Sequence, residues 1–396
     1  MFEDLEALEA DPILGVMLAY RADARAEKID LGIGIYKDSE GSTPIMAAVR
    51  EAEKRLFASQ TTKAYVAPGG DETFNAAMCD VVFGTDRPAG RVRAIQTPGG
   101  SGALRVVMDL IKNTRPDATL WVSEPTWPNH HILAGAAALT VARYPYFDPD
   151  KKTVCFADML EGLRRAKSGD AVLLHGCCHN PSGADLDIAQ WRDVAALIAE
   201  RGLLAFVDIA YQGLGDGLET DAAGLRLLAS ELPEMVVAAS CSKNFGLYRD
   251  RVGCAFVLAA DSDQADVARQ HAVRAVRGNY SMPPDHGAAV VSTILGDPEL
   301  RGVWLDELDT MRQRVQSLRR ALADSLRLKT NSDRFDFFAE HRGLFSLTGL
   351  SPEQVAALRE GYGIYLIGDG RMNVAGLTED NIDAFADALI AVTSRA

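Results

Sequence analysis

Cysteine is scarce in this chain: Cys79, Cys155, Cys177, Cys178, Cys241 and Cys254 are the only six in 396 residues. Their spacing follows no disulfide framework, which excludes a small cross-linked scaffold and points to reduced thiols. Long apolar runs are missing as well. The windows at 203–210 and 252–260 fall well short of the roughly 20 residues that a bilayer demands. No basic block occurs and the net charge is −14, so neither nucleic acid nor an anionic membrane is an expected partner. There is no internal repeat, low-complexity segment or Gly/Ser-rich linker. The first residues, MFEDLEALEADP, are acidic where a targeting peptide needs basic ones, and the expected location is cytoplasmic.

What is present is apolar content. Hydrophobic residues make up 47% of the sequence, enough for one large domain and a smaller companion. Short runs rich in β-branched residues, TLWVSEP (119–125), AVLLHG (171–176), LLAFVDIA (203–210), MVVAASCS (235–242) and VGCAFVLAA (252–260), are apolar almost throughout. They read as strands covered on both faces, alternating with helical patterns at 101–113, 188–201, 220–230 and 262–276. This βα alternation predicts an α/β fold with a parallel sheet. A long helix is expected from about 298. Two strand-like pieces follow, GLFSLTG and IYLIGDGRMNVAG, and then a last helix from about 379. Residues 1–12 read as an extended arm. The expected division is an arm at 1–10, a large domain at 44–310, and a small α+β domain built from 11–43 and 311–396.

Several of the runs end in conspicuous polar residues: Ser123 to Trp127, His175 to Asn180, Asp208 and Tyr211, then Ser240, Ser242 and Lys243. Ligands of parallel α/β sheets bind beyond the carboxyl ends of the strands, so these groups should meet in one cleft. The loop TPGGSGALR (97–105) precedes a helical pattern. Its exposed amides and the helix dipole suit a phosphate, although an ordinary glycine-rich turn has the same look and neither nucleotide-binding glycine motif is present. Lys243 follows a buried strand, where its ammonium form is disfavoured and a nucleophilic amine results. A lone lysine is usually a surface charge. A phosphate loop, an Asp at one strand end and a Lys at the next are together the parts that pyridoxal 5′-phosphate (PLP) requires.

The stretch HGCCHNPSG gathers His175, Cys177, Cys178 and His179, all zinc-ligand types. Adjacent cysteines should point to opposite sides of an extended segment, and structural zinc sites space theirs by about two to four residues. The expectation is that these four pack around the loop and that no metal binds.

The motifs KIDLGIGIYKD, TTKAY, TPGGSGALR, PTWPNHH, HGCCHNPSG, DIAYQG, SCSKNFGLY and GRMNVAG resemble those of class I aminotransferases, fold-type I PLP enzymes, in the aspartate and aromatic-amino-acid branch. The resemblance runs from residue 11 to 378. It implies a large domain with a mostly parallel seven-stranded sheet and a homodimer with shared active sites. By the same resemblance Lys243 forms the Schiff base with PLP and shuttles a proton, and Asp208 pairs with the ring nitrogen. Tyr211 and Asn180 donate to the ring hydroxyl oxygen, and Trp127 stacks on the ring. Gly100, Ser101, Ser240, Ser242 and Arg251 cradle the phosphate, with Tyr65 reaching it from the other subunit. Arg371 clamps the substrate α-carboxylate, Gly34 approaches the substrate through its backbone, and Arg277 of the neighbouring subunit meets a side-chain carboxylate. His130 supports Asp208 or is simply a satisfied core histidine.

The substrates implied are amino acids and 2-oxo acids, with 2-oxoglutarate as acceptor. Lys37, Thr43 and the Asn129-His130 pair lean toward aspartate. Ser101 and Met282 lean toward aromatic substrates, with Gly278 able to let the Arg277 segment shift. A strict aspartate aminotransferase, another PLP enzyme such as a β-lyase, and a PLP-binding regulator are the rival readings. The regulator would need a DNA-binding extension for which this acidic chain has no room.

Overall fold

The computed structural model describes residues 2–6 and 12–394, with side chains described at 2–6 and from 14 onward. Seven strands form the main sheet: β1 (Val92–Pro98), β2 (Thr119–Glu124), β3 (Thr140–Pro145), β4 (Ala171–His175), β5 (Leu204–Ile209), β6 (Met235–Ser240) and β7 (Val252–Leu258). Their order across the sheet is β1-β7-β6-β5-β4-β2-β3. β7 runs antiparallel to both of its neighbours, with Val252 opposite Pro98 and Gly253 opposite Ser240. The remaining pairs are parallel. The sheet is thus seven-stranded and mostly parallel, as the resemblance implies; β7, the antiparallel member, follows β6 through a loop rather than a crossover helix. Sequence reasoning missed β1 and β3. β3 is an edge strand with only one buried residue and so lacks the apolar run that marks the others.

Alternation along each strand explains why the central runs are apolar throughout. Ile95, Leu120, Leu173, Phe206, Val236 and Val257 point to one face, where they meet α1 (Gly99–Thr114). Trp121, Val172, Leu174, Val207, Val237 and Phe256 point to the other, toward α2 (Ile188–Arg201). Both faces are dry, as in a doubly covered sheet.

The long helix α3 (Pro298–Thr330) is capped by the Asp297 side chain, which accepts from the N–H groups of Glu299 and Leu300, and it ends at left-handed Asn331. It is about 50 Å long at 1.5 Å per residue. Its buried stripe is Leu300, Trp304, Leu308, Met311, Val315, Leu318, Leu322 and Leu326. The first five join the sheet core; the last three join a second cluster with Leu31, Phe338, Met372 and Phe385. Burying one such leucine contributes about 1.5–3 kcal/mol before entropy is counted. Trp304 stacks on Phe245 at 4.5 Å, and its indole N–H donates to the Asn244 carbonyl at 2.7 Å. Truncating it to alanine would cost about 3–5 kcal/mol and loosen the turn that carries Lys243.

Two short ladders complete the second cluster. Ile29–Asp30 pairs in parallel with Ile364–Tyr365, and Phe345–Leu347 pairs antiparallel with Arg371–Asn373. The last helix spans Ile382–Thr393, slightly later than expected. The pattern at 220–230 divides into a 3-10 turn, Thr220–Ala222, and a helix, Ala223–Glu231. Of the expected extended arm, Phe2–Asp4 forms a 3-10 turn and residues 7–11 lie outside the described residues. Among the described residues no helix is long and apolar enough to cross a membrane.

Candidate active site

One cavity of about 310 Å³ opens at the carboxyl ends of β4, β5 and β6. The lining includes Gly34, Gly100, Ser101, Trp127, Asn180, Asp208, Tyr211, Ser240, Ser242, Lys243, Arg251 and Arg371. Residues from seven separate motifs thus meet in one place. Tyr65 and Arg277 do not join them. Tyr65 is 93% exposed, and Arg277 is exposed and donates to Ser281 Oγ at 2.7 Å.

Among the described residues Asp208 is the sole carboxylate in the lining, which also holds three basic side chains: Lys243, Arg251 and Arg371. Burial alone would raise its pKa, but the hydrogen bond from His130, with help from Lys243, holds it below the ordinary value. His130 Nε2 lies 3.0 Å from Asp208 Oδ2, its Nδ1 lies 2.8 Å from Thr126 Oγ1, and that hydroxyl lies 3.1 Å from His175 Nε2. His175 Nδ1 in turn accepts the Asn180 N–H at 3.5 Å. One assignment of protons satisfies the whole chain: each group donates toward the next, and Asp208 is the final acceptor. Burial keeps His175 neutral by pushing its pKa down to about 3.

Lys243 sits just past β6, its Nζ 4.7 Å from the centre of the Tyr211 ring. Burial lowers its pKa to about 8; Asp208 opposes that shift, while Arg251 and Arg371 add to it. Tyr211 is buried and its hydroxyl is pushed well up, chiefly by desolvation. Neutral amine is therefore accessible near neutral pH, whereas tyrosinate is not.

The start of α1 makes a cradle that only glycine allows. Gly99 has φ +74°, and a Cβ there would lie 2.6 Å from Arg251 Nη2; at Gly100 it would lie 2.9 Å from Ser240 Cβ. Helix-start amides, three serine hydroxyls (Ser101, Ser240 and Ser242) and the Arg251 guanidinium border the cavity there, a donor set for a phosphate dianion.

Arg371 is 4% exposed. Its Nη1 donates to Asn180 Oδ1 at 3.1 Å, and its guanidinium carbon lies 4.6 Å from the centre of the Phe345 ring. Its Nε is buried without a hydrogen-bond partner. A buried cation with donors unspent is matched to an incoming carboxylate.

The HGCCHNPSG loop departs from expectation in one respect. Cys178 has φ +52°, so the segment is not extended there. The two sulfurs lie on one side, their ligand atoms and that of Asp221 mutually within 4.8 Å. The Asp221 carboxylate already accepts three N–H groups, from Gly213, Gly215 and Asp216. The hydrogen bond with Cys178 and then burial hold the Cys177 thiol well above its ordinary range. For Cys178 the bond with Cys177 lowers the pKa, but burial still pushes it up to about 12. Protonated thiols are poor metal ligands. His179 is held between the Ser123 and Ser182 hydroxyls, and Asp185 accepts from the Cys178 and His179 N–H groups. The loop is thus tied down on both sides of Asn180.

Phe345, Tyr248, Ile33 and Ile35 line the cavity too, and sequence reasoning had not singled them out. Asn373 supports them. Its side-chain amide donates to the Ile33 and Ile35 carbonyls at 2.6 and 2.7 Å, which fixes the backbone around Gly34. Its signal was its place two residues beyond Arg371 on the same face of a strand.

The residues fit PLP: an amine, one carboxylate, a phosphate cradle and flanking donors, in a cavity with a surplus of positive charge. Residues 26–389 match the family described as aminotransferase class I and II. The chain is 47% identical over 392 residues to an aromatic-amino-acid aminotransferase of Paracoccus denitrificans, covering 99% of this chain and all of that one. It is 45% identical to an aspartate aminotransferase of Escherichia coli, with 99% and 100% covered. Its structure is similar to that of an aromatic-amino-acid aminotransferase from Burkholderia pseudomallei covalently bound to pyridoxal phosphate. The TM-score is 0.97 at 40% identity, with 99% of each chain covered.

Proposed function

The chain belongs to the class I and II aminotransferases, and from that membership we propose that it moves the amino group of aspartate and of aromatic amino acids to 2-oxoglutarate. The observation that carries this reading is the charge arrangement of the cavity: one carboxylate, Asp208, against Lys243, Arg251 and an unspent Arg371. PLP, when bound, supplies an aldehyde for the amino group and a ring that spreads negative charge.

The chain's own groups do the rest. The Asp208 carboxylate, supported by His130, keeps a proton on the ring nitrogen. Lys243 Nζ would hold the cofactor's aldehyde, and as a free amine it would be the base that moves the substrate Cα proton. Asn180 and Tyr211 would donate to the ring oxygen, and Trp127 would pack against the ring. Ser101, Ser240, Ser242, Arg251 and the Gly100 amide hold the phosphate. Arg371 takes the α-carboxylate, and Gly34 closes the backbone over it.

Tyr65 and Arg277 lie outside the cavity of their own chain. We assign them to the site of a second copy: Tyr65 to its phosphate, Arg277 to the distal carboxylate of a dicarboxylic substrate. The smaller body is taken as 11–43 with 311–396, the larger as 44–310 and the arm as 1–10, a division consistent with the separate apolar cluster around the last part of α3.

A panel of amino donors at fixed 2-oxoglutarate tests the reading. Glutamate formation from aspartate and from at least one of phenylalanine, tyrosine and tryptophan is expected. If phenylalanine falls more than about a thousandfold below aspartate in kcat/KM, a gap of about 4 kcal/mol, the protein is a strict aspartate aminotransferase. Elimination products without amino transfer would make it a β-lyase.

A further inference from the structure

We propose that Arg319 is a positioning residue for the substrate carboxylate: through Phe345 it sets the plane of the Arg371 guanidinium. Arg319 lies on α3 and is 1% exposed. Among the described residues it makes no ion pair. Its N–H groups instead go to one short segment of chain. Nε and Nη2 donate to the Gly343 carbonyl at 3.1 and 2.8 Å, Nη1 to the Phe338 carbonyl at 3.1 Å and to Ser346 Oγ at 2.8 Å, and Nη2 also to the Phe345 carbonyl at 2.7 Å. A longer contact reaches the Arg342 carbonyl at 3.4 Å. Burying a cation on neutral acceptors without a counter-charge is costly, and a core of apolar residues would hold a helix to a strand at less expense. A rigid planar fork, by contrast, fixes several carbonyls in one arrangement, which apolar packing does not.

The segment so fixed carries the Phe345 ring, and that ring is wedged. A Cβ on Gly34 would lie 2.6 Å from its Cζ. Tyr211 meets it edge-on at 6.0 Å, and Arg371 stacks on it at 4.6 Å. The far side of the segment is equally constrained, because a Cβ on Gly183 would lie 2.2 Å from the Phe345 carbonyl oxygen. Among the described residues the Arg371 side chain makes one hydrogen bond, to Asn180, so the ring face is a second feature that orients its fork. Displacing the segment tilts the fork away from the incoming carboxylate. Other ties, the Arg342 N–H to the Gly183 carbonyl and His341 to Ser346 and the Lys152 carbonyl, keep the segment folded without Arg319.

The inference rests on Arg371 as the carboxylate clamp, so the test reads binding rather than turnover. The probe is 3-phenylpropionate, the phenylalanine skeleton without its amino group, titrated by calorimetry into PLP-loaded protein. Arg319→Met should raise its Kd by about tenfold or more, and KM for aspartate and phenylalanine alike, with kcat within about threefold. Arg319→Lys, which keeps charge but not the fork, should fall between. In a Phe345→Leu background Arg319→Met should add less than about twofold, because the pathway is already cut. A lowered melting temperature with Kd within about twofold of the parent, or effects that multiply fully with Phe345→Leu, would overturn the proposal. If Arg319→Met does not fold, the same cycle with Arg319→Lys decides. Arg371→Leu is the control: if it leaves Kd unchanged, the clamp reading itself fails, whereas loss there without loss at Arg319 sinks only the positioning role.

Discussion

Phe345 separates two buried arginines. On its carbonyl side lies Arg319, whose donors are all spent on backbone and one serine. On its ring side lies Arg371, with a bare Nε. The carboxylates divide in the same way. Asp221 accepts three backbone N–H groups and Asp185 two, whereas Asp208 has one oxygen on His130 and borders the cavity. All of them are buried except Asp185, which is half-buried. What separates a group that holds the chain from one that receives a ligand is whether its hydrogen-bonding capacity is already used.

The largest test of that distinction compares two aspartates. Asp208→Ala should lower kcat by about three orders of magnitude or more, since electrostatic groups at the reacting centre are usually the dominant contributions. Its melting temperature should stay near the parent's. Asp221→Ala should do the reverse. Three N–H groups lose their acceptor, two of them buried, at about 1–3 kcal/mol for each buried one before relaxation, while kcat of the folded fraction stays within about tenfold. Thermal melts beside steady-state rates check both. Loss of turnover at an unchanged melting temperature in Asp221→Ala would break the rule.

Which groups are open was only partly legible in the sequence. The strand runs were legible because burial on both faces leaves no polar alternation to confuse them, and the polar residues at their ends then fall into one cleft by topology. The identity of Lys243, Asp208 and Arg371 as a set came from motifs. Whether a polar group is spent came from neither. Arg319 sits in LRRALADSLR beside Arg320, and nothing local distinguishes the buried one from its neighbour except the phase of the stripe through Leu318 and Leu322. Adjacent cysteines diverge only where the chain is extended, and a single positive φ at Cys178 brings these two sulfurs to one side.

Arg277 extends the comparison to a group that is exposed among the described residues, with Ser281 Oγ as its hydrogen-bond partner. Truncating one partner of a desolvated, hydrogen-bonded charge pair costs about 2–5 kcal/mol, so Arg277→Ala should lower kcat/KM for aspartate by about 30-fold or more. Phenylalanine should change little or improve. If the residue serves a second copy, mixing inactive Lys243→Ala subunits with Arg277→Ala subunits should restore part of the dicarboxylate activity, because one hybrid site regains both groups. Absence of recovery under demonstrated subunit exchange would place Arg277 outside the shared site.

The smallest effect expected is a pH dependence. Lys243 is open in the sense used here: it borders the cavity, and its amine is poised by burial at a pKa of about 8 rather than 10.5. Only the neutral amine attacks an aldehyde. Covalent capture of PLP by the protein stripped of it should therefore speed up about tenfold per pH unit and level off near pH 8, where an ordinary lysine would keep gaining for about two more units. The open groups around it should move that bend in opposite directions. Asp208→Ala removes the charge that favours the ammonium and should shift the bend to lower pH; Arg371→Leu removes a neighbouring cation and should shift it to higher pH. Stability carries the same signature with a definite sign. Between about pH 8 and 10.5 the unfolded chain binds a proton at Lys243 that the folded chain does not, so stability of the stripped protein should rise with pH across that window. Lys243→Met should abolish that rise. A capture rate that climbs unbroken to pH 10 would mean that the lysine is solvated like a surface group and that burial does not poise it.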